Sequence, residues 1–379
     1  MREDLFLEDL TRQLESTMQE ANSKVLNVIC SRLKRIGELS PTDAVRLANM
    51  AKREDLNLIE SIISDATGQS LADVEKAIRE AAKYNDDLME QYYKAKNLTA
   101  DFSRLDPIVN RAIAAMQDGF LNLADTTAFL IDGKRVAITD MYRQAVNTGV
   151  YATSQGLADY YSAIRGIVAK MAESGLRKVV YDSGVTRRLD SAARMNLLDG
   201  VRQMNMEYRA EQGRQFGADG VEISAHGLCA PDHIPVQGRQ YSVRDFARLQ
   251  ETLERPIGTC NCYHSTFPVI LGLSSPAYTH TELQQMEADS NRKVIYKDKL
   301  GNDKTRTAYE VTQIQRQNET AIRRLKDKRN AFKAAGDEEM VKKLNRDIKK
   351  QTAYYRQMSG EVGLPTSPKR LAVVSVIKS

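Results

Sequence analysis

The chain reads as a predominantly α-helical α+β protein. It divides into a helical N-terminal region, a small mixed α/β module with Cys/His loops, and a C-terminal basic helical hairpin. Three observations predict this. Helix-forming Ala, Leu, Glu, Lys, Arg and Gln are abundant, and apolar residues recur at helical spacing as far as Gly217. The clearest strand alternation, DGVEISAH, comes only after that glycine. The formal charge of +5 is concentrated: positions 301–358 hold 15 Lys and Arg against 8 Asp and Glu, a local +7 that leaves the rest at −2.

At 379 residues and 42% apolar composition, the chain can bury a core, and its length suggests about two or three folding units. The 9 prolines and 21 glycines are too few for a disordered or collagen-like protein, and there is no tryptophan.

In residues 1–37, Leu5, Leu10, Leu14, Met18, Val25 and Val28 mark a long amphipathic helix. Ser40-Pro41 with Asp43 opens the next, and Ser70 with Asp73 reads as a near capping box opening another. The first hundred residues are therefore expected to be short helices with polar turns. Helix is expected to continue from Leu121 to Glu207, with Gly175 and Gly217 as stops and KVVYDSG as a short strand. VRDFARLQETLE predicts a short helix, and RKVIYKDKLGNDKTRTAY a β-hairpin. Beyond it, Ile322, Leu325 and Phe332, then Val341, Leu344, Ile348 and Tyr355, predict a helical hairpin or coiled coil broken near Ala335-Gly336-Asp337. The expected segments are 1–118, 119–217, 218–306, 307–358 and a tail, 359–379.

The N-terminus is charged from its second residue, so no signal peptide is expected there. No run approaches the roughly 18 apolar residues of a membrane span. The expectation is a protein made and folded in the cytoplasm.

Cys229, Cys260 and Cys262 fall within 34 residues of one another, beside three of the four histidines: His226, His233 and His264. Thiolate and imidazole suit structural zinc, which takes about four such ligands. Cys229 with His233 and Cys262 with His264 supply four, His226 and Cys260 are spares, and Asp232 is a weak oxygen alternative. The same residues also suit a metal-free loop core, the plainer reading of the pattern, and a catalytic Cys–His or His–Asp site is the remaining alternative. No G-x-S-x-G, H-E-x-x-H, P-loop or dinucleotide fingerprint supports an enzyme.

Arg323, Arg324, Lys326, Lys328, Arg329 and Lys333 crowd a short helical stretch. That face suits nonspecific contact with DNA phosphates, or it is a solvated helix laced with ion pairs such as Glu319–Arg323. No aromatics are interleaved as stacking platforms for single strands.

Several blocks occur together in one order: TRRLDSAARMNLLDGVRQMN, GADGVEISAHGLCAPDHIPVQGRQYS, IGTCNCYHSTFPVILGLS and QRQNETAIRRLK. This set resembles the minor capsid protein 2 family of tailed bacteriophages, over most of the chain. The matching signature positions are Arg194, Glu222, His226, His233, Gln237, Gly238, Asn261, Cys262, His264 and Pro268. The chain departs from the pattern at Val236, where the family usually has tryptophan, and at Ala230, where it usually has arginine. More distantly, the Cys/His region is similar to that of MuF-type head-morphogenesis proteins. The resemblance implies a structural, non-enzymatic minor capsid protein, located in the virion and assembled in the host bacterial cytoplasm. The portal protein and major capsid protein are its implied partners, with double-stranded DNA contacted during packaging or ejection. The competing readings are a metal-dependent nuclease or toxin-like enzyme using the His/Cys loops, and a nonspecific DNA-binding protein.

Overall fold

The computed structural model describes residues 3–95, 105–155, 160–178, 186–260 and 262–374. It is 69% helical, with small antiparallel sheets, so the predominantly helical α+β class holds. The chain forms two compact units, each made of three stretches. Residues 1–12, 71–119 and 194–314 form the first; 13–70, 120–193 and 315–379 form the second.

Helix α1 (Glu3–Gly37) buries the stripe Leu14, Met18, Val25, Ile29, Leu33 and Ile36, which follows its apolar spacing. Helix α2 (Pro41–Ala95) runs unbroken for 55 residues, which overturns the expected set of short helices. Ser40 does cap it, accepting the Asp43 N–H at 3.3 Å. Ser70 does not start a new helix. It is fully buried, and its hydroxyl donates to the Ala66 carbonyl one turn back at 2.6 Å, so helical hydrogen bonding absorbs it. Arg32 grips Asp55 at 2.7 and 2.8 Å, and the Tyr142 hydroxyl donates to the same carboxylate at 2.6 Å. This buried triad joins α1, α2 and α4 (Ile138–Ser154).

Helix α3 (Asp106–Asp125) leads into strands β1 (Thr127–Ile131) and β2 (Lys134–Val136) where continued helix was expected. The cause is local: Asp132 (φ 50°) and Gly133 (φ 77°) make the two-residue turn that favours a hairpin. Helix α5 (Tyr160–Ser174) stops at Gly175 (φ 58°), as expected. The strand expected in KVVYDSG begins as β3 (Arg177–Lys178), paired with β4 (Arg187–Arg188); its remainder lies outside the described residues. The sheet order is β2-β1-β3-β4.

Helix α6 (Leu189–Gln215) ends just before Gly217 (φ 79°). Strands β5 (Gly220–Ile223), β6 (Gln240–Ser242) and β7 (Thr266–Val269) form a sheet ordered β6-β5-β7. Helix α7 (Val243–Thr252) follows β6, capped by Ser242. Helix α8 (His280–Asn291) opens with a Thr279/Glu282 capping box. The expected hairpin is β8 (Lys293–Lys297) and β9 (Asp303–Thr307).

The C-terminal helical hairpin is also present. Helices α9 (Ala308–Ala335) and α10 (Glu338–Glu361) are broken at Gly336 (φ 84°), and Asp337 caps α10 by accepting the Met340 N–H at 3.1 Å. Phe332, Leu344 and Tyr355 are buried as their spacing required. Among the described residues, no helix is long and apolar enough to cross a membrane.

Candidate functional site

Strand pairing assembles the Cys/His site. β5 runs antiparallel to β7, with Ile223 opposite Thr266, so the chain leaves β5 and enters β7 at the same end of the sheet. Ser224 N–H donates to the Ser265 carbonyl at 2.8 Å, extending the pairing one step beyond the strands. The loop after β5 carries His226, Cys229 and His233; the segment before β7 carries Cys262 and His264. Two sequence clusters thus meet beneath a small core of Ile223, Val236, Ile257 and Cys262, flanked by Tyr241, Phe246, Leu249 and Leu253.

His233, Cys262 and His264 converge, with one ligand atom of each within 4.8 Å of the others. Nδ1 of His264 lies 3.2 Å from Cys262 Sγ, and Nδ1 of His233 lies 3.6 Å from it. Their Nε2 atoms face oxygens: His233 Nε2 is 2.7 Å from the Arg255 carbonyl, and His264 Nε2 is 3.0 Å from Gln237 Oε1. Gln237 Oε1 also accepts the His226 backbone N–H at 3.1 Å, which identifies that atom as the amide oxygen. Both Nε2 atoms are therefore donors.

The other sequence candidates stand around this trio. The His226 ring lies 4.4 Å from the His264 ring, with its Nδ1 2.9 Å from the Gly227 carbonyl. Cys229 is buried, its thiol donating to the Ala230 carbonyl at 3.2 Å, and burial pushes it up to about 12. Cys260 is exposed, at a φ of 52°. Asp232 turns to Arg255, a 3.1 Å contact from Nε.

The electrostatics favour a thiolate at Cys262. Burial raises its pKa, but hydrogen bonds from His233 and from the Gly258 and His264 N–H groups outweigh burial and hold it below the usual thiol value. His233 is raised: burial opposes its charge, while Cys262 and the Arg255 carbonyl support it. His264 is pushed down to about 2 by burial and by the neighbouring His226, His233 and Arg202, so it stays neutral. The Cys–His distance suits a nucleophile and base. Cys262, however, is only 8% exposed and its sulfur accepts backbone N–H groups, which is the environment of a ligand or structural thiolate.

The family profile described as phage minor capsid protein 2 matches residues 3–358, nearly the whole chain. The chain belongs to the phage minor capsid protein 2 family. No curated protein and no solved structure matches it. A structural phage head protein in the virion, with other virion components as partners, follows from that membership.

Most positions singled out as this minor capsid protein's signature have structural reasons. Glu222 on β5 is buried and accepts from Gln240 Nε2 at 2.8 Å and from the Ala277 N–H at 2.9 Å, tying β6 and the loop before α8 to the central strand. Gly238 has a left-handed backbone (φ 67°), and an added Cβ would come 2.3 Å from Leu283 Cδ2, so that side chain would have to shift. Pro268 is tolerated because β7 is an edge strand, and it packs at Gly213, where an added Cβ would lie 2.3 Å from its ring. Val236 is part of the module core. Arg194 sits on α6, half-buried. Asn261 lies outside the described residues.

The basic residues of α9 are not an open strip. Arg323 lies 3.4 Å from the buried Asp190, Lys326 donates to the Leu371 carbonyl at 2.6 Å, and Lys328 lies 4.0 Å from Glu173. Arg329 bonds the neighbouring Asn330, leaving Arg324 and Lys333 as the exposed members. The denser set of exposed cations is on α10: Lys342, Lys343, Arg346, Lys349, Lys350 and Arg356 all face outward, opposite the buried Leu344, Tyr355 and Met358.

Sequence reasoning passed over the Arg255 carbonyl as a partner of His233, which no side-chain pattern signals. It also passed over Arg209, buried in α6 and 2.9 Å from Asn85 Oδ1.

Proposed function

We propose that this minor capsid protein acts by docking against the portal and the inner face of the capsid, and that it contacts packaged double-stranded DNA through the outer face of α10. The head role rests on the match over residues 3–358. The DNA contact rests on one observation: six exposed cations on α10 stand opposite its apolar seam, so the helix can meet phosphates without unpacking. Such contact is sequence-independent and salt-dependent, as suits DNA packed at high density. Catalysis is no part of this reading.

Anisotropy titration of a duplex over a salt series tests the contact. The slope of log affinity against log salt is expected to fall by about one for each of Lys342, Arg346 and Lys349 changed to Gln. Arg323→Gln is expected to leave it unchanged. A wild-type protein that does not bind duplex DNA at low salt sinks the DNA reading. Cross-linking of intact heads tests the docking, with links to portal and major capsid protein expected.

A further inference from the structure

The geometry points to a zinc(II) site in this protein, with His233 Nδ1, Cys262 Sγ and His264 Nδ1 as three ligands. This goes beyond the docking reading and does not depend on it.

His233 Nε2 faces a backbone carbonyl and His264 Nε2 faces an amide oxygen, so each neutral ring carries its proton on Nε2. Each Nδ1 then presents a lone pair, and both lone pairs aim at one sulfur, at 3.6 and 3.2 Å. A single proton, whether it sits on the sulfur or on one Nδ1, can satisfy only one of the two contacts. The sulfur is moreover an acceptor, taking the His264 N–H at 3.4 Å. Three electron-pair donors thus face one point, and a cation there satisfies all three.

The two sulfur–nitrogen distances agree. Across a tetrahedral zinc with ordinary bond lengths, a thiolate sulfur and an imidazole nitrogen stand about 3.5 Å apart. The Nε2 contacts to Arg255 and Gln237 are the outer hydrogen bonds that fix ring tautomer and orientation in metal sites. An N₂S donor set of two imidazoles and one thiolate is borderline-soft and suits zinc above the hard cations. Binding replaces the proton shared by Cys262 and the imidazoles, so one proton leaves per metal bound. Three protein ligands leave a fourth position, for which Cys229, four residues before His233, is the buried thiol candidate, Cys260 being exposed.

The test uses the full chain. Protein purified from zinc-supplemented medium is expected to contain one zinc per chain by elemental analysis. Cobalt(II) exchanged into the wild type is expected to give a thiolate-to-metal charge-transfer band and intense tetrahedral d–d bands. Cys262→Ser should abolish the charge-transfer band, and His233→Gln should lower the zinc content at least tenfold. If either variant fails to fold, the wild-type spectrum and a melting temperature that falls on chelation carry the test. A folded wild type that takes up neither metal stoichiometrically, or a cobalt spectrum without thiolate charge transfer, overturns the site. Cys229→Ser reads the fourth position: a lost second thiolate contribution assigns it to Cys229, and an unchanged spectrum leaves the three-ligand site standing with a non-cysteine fourth ligand.

Discussion

Single residues carry much of the specificity, and two of them make opposite pH predictions. Asp190 is buried; burial raises its pKa, but the charges of Arg188 and Arg323 outweigh that and hold it below the ordinary value. A depressed carboxylate stabilises the fold above its unfolded pKa of about 3.9, and the contribution disappears as pH falls through the lower folded value. Asp327 accepts from Arg188 at 2.5 Å, yet burial dominates and holds it above the ordinary value. Its contribution is therefore present at low pH and lost as pH rises through the folded value. In urea titrations across pH, Asp190→Asn is expected to flatten the acid loss of stability. Asp327→Asn is expected to leave that acid loss in place. Gly238 gives a simpler case: Ala at φ 67° costs about 1–2 kcal/mol from the left-handed backbone alone, and Leu283 must also move, so a lower urea midpoint is expected. The three converging residues were all among the four that the spacing named, Cys229, His233, Cys262 and His264, with His226 and Cys260 as spares. What the spacing did not report is that Cys229 stands apart from the other three. The choice is made by β5–β7 pairing and by acceptors such as the Arg255 carbonyl, which no residue pattern reports.

At the level of elements, local signals succeeded where backbone geometry was local. Gly175, Gly217 and Gly336 ended helices at positive φ, and the break before Asp337 fell where the pattern placed it. Two failures came from weighing one signal over another. Asp132-Gly133 is a hairpin signal inside a stretch that otherwise scores as helix, and the turn won because both residues accept positive φ. Ser70 with Asp73 read as the start of a new helix, yet α2 passes through Ser70 and through Gly68 just before it, since one glycine is a weak breaker when the helix packs on both sides of it. That reading has a direct test. An added Cβ at Gly68 meets nothing within 4 Å, and the residue is exposed inside a helix. Gly68→Ala is expected to stabilise the protein by about 0.5–1 kcal/mol, seen as a higher urea midpoint with an unchanged slope. A true break at that position would instead be destabilised by the substitution.

For the whole molecule, charge and chain path settle different questions. The charge count correctly located a basic C-terminal hairpin, but it assigned contact to α9, because counting does not see partners. Asp190, Glu173 and the Leu371 carbonyl come from distant parts of the sequence and occupy Arg323, Lys328 and Lys326. The outward cations of α10 remain, and changing Lys342, Lys343, Arg346, Lys349 and Lys350 to Gln takes the formal charge from +5 to zero. The chain path is less ordinary. The two compact units change over at 12/13, 70/71, 119/120, 193/194 and 314/315, and each of these points lies inside a helix: α1, α2, α3, α6 and α9. Proteases need a locally extended backbone, and a helix interior holds its N–H and C=O groups in intrahelical bonds that must open first. Limited trypsin digestion is therefore expected to leave the unit boundaries intact, although Arg12 stands at one of them. Early cleavage is expected in the exposed loop between β8 and β9, at Lys299. Mass spectrometry of the first fragments reads the outcome: a cut after Arg12 before the β8–β9 loop is cut would mean that α1 is not continuous in solution.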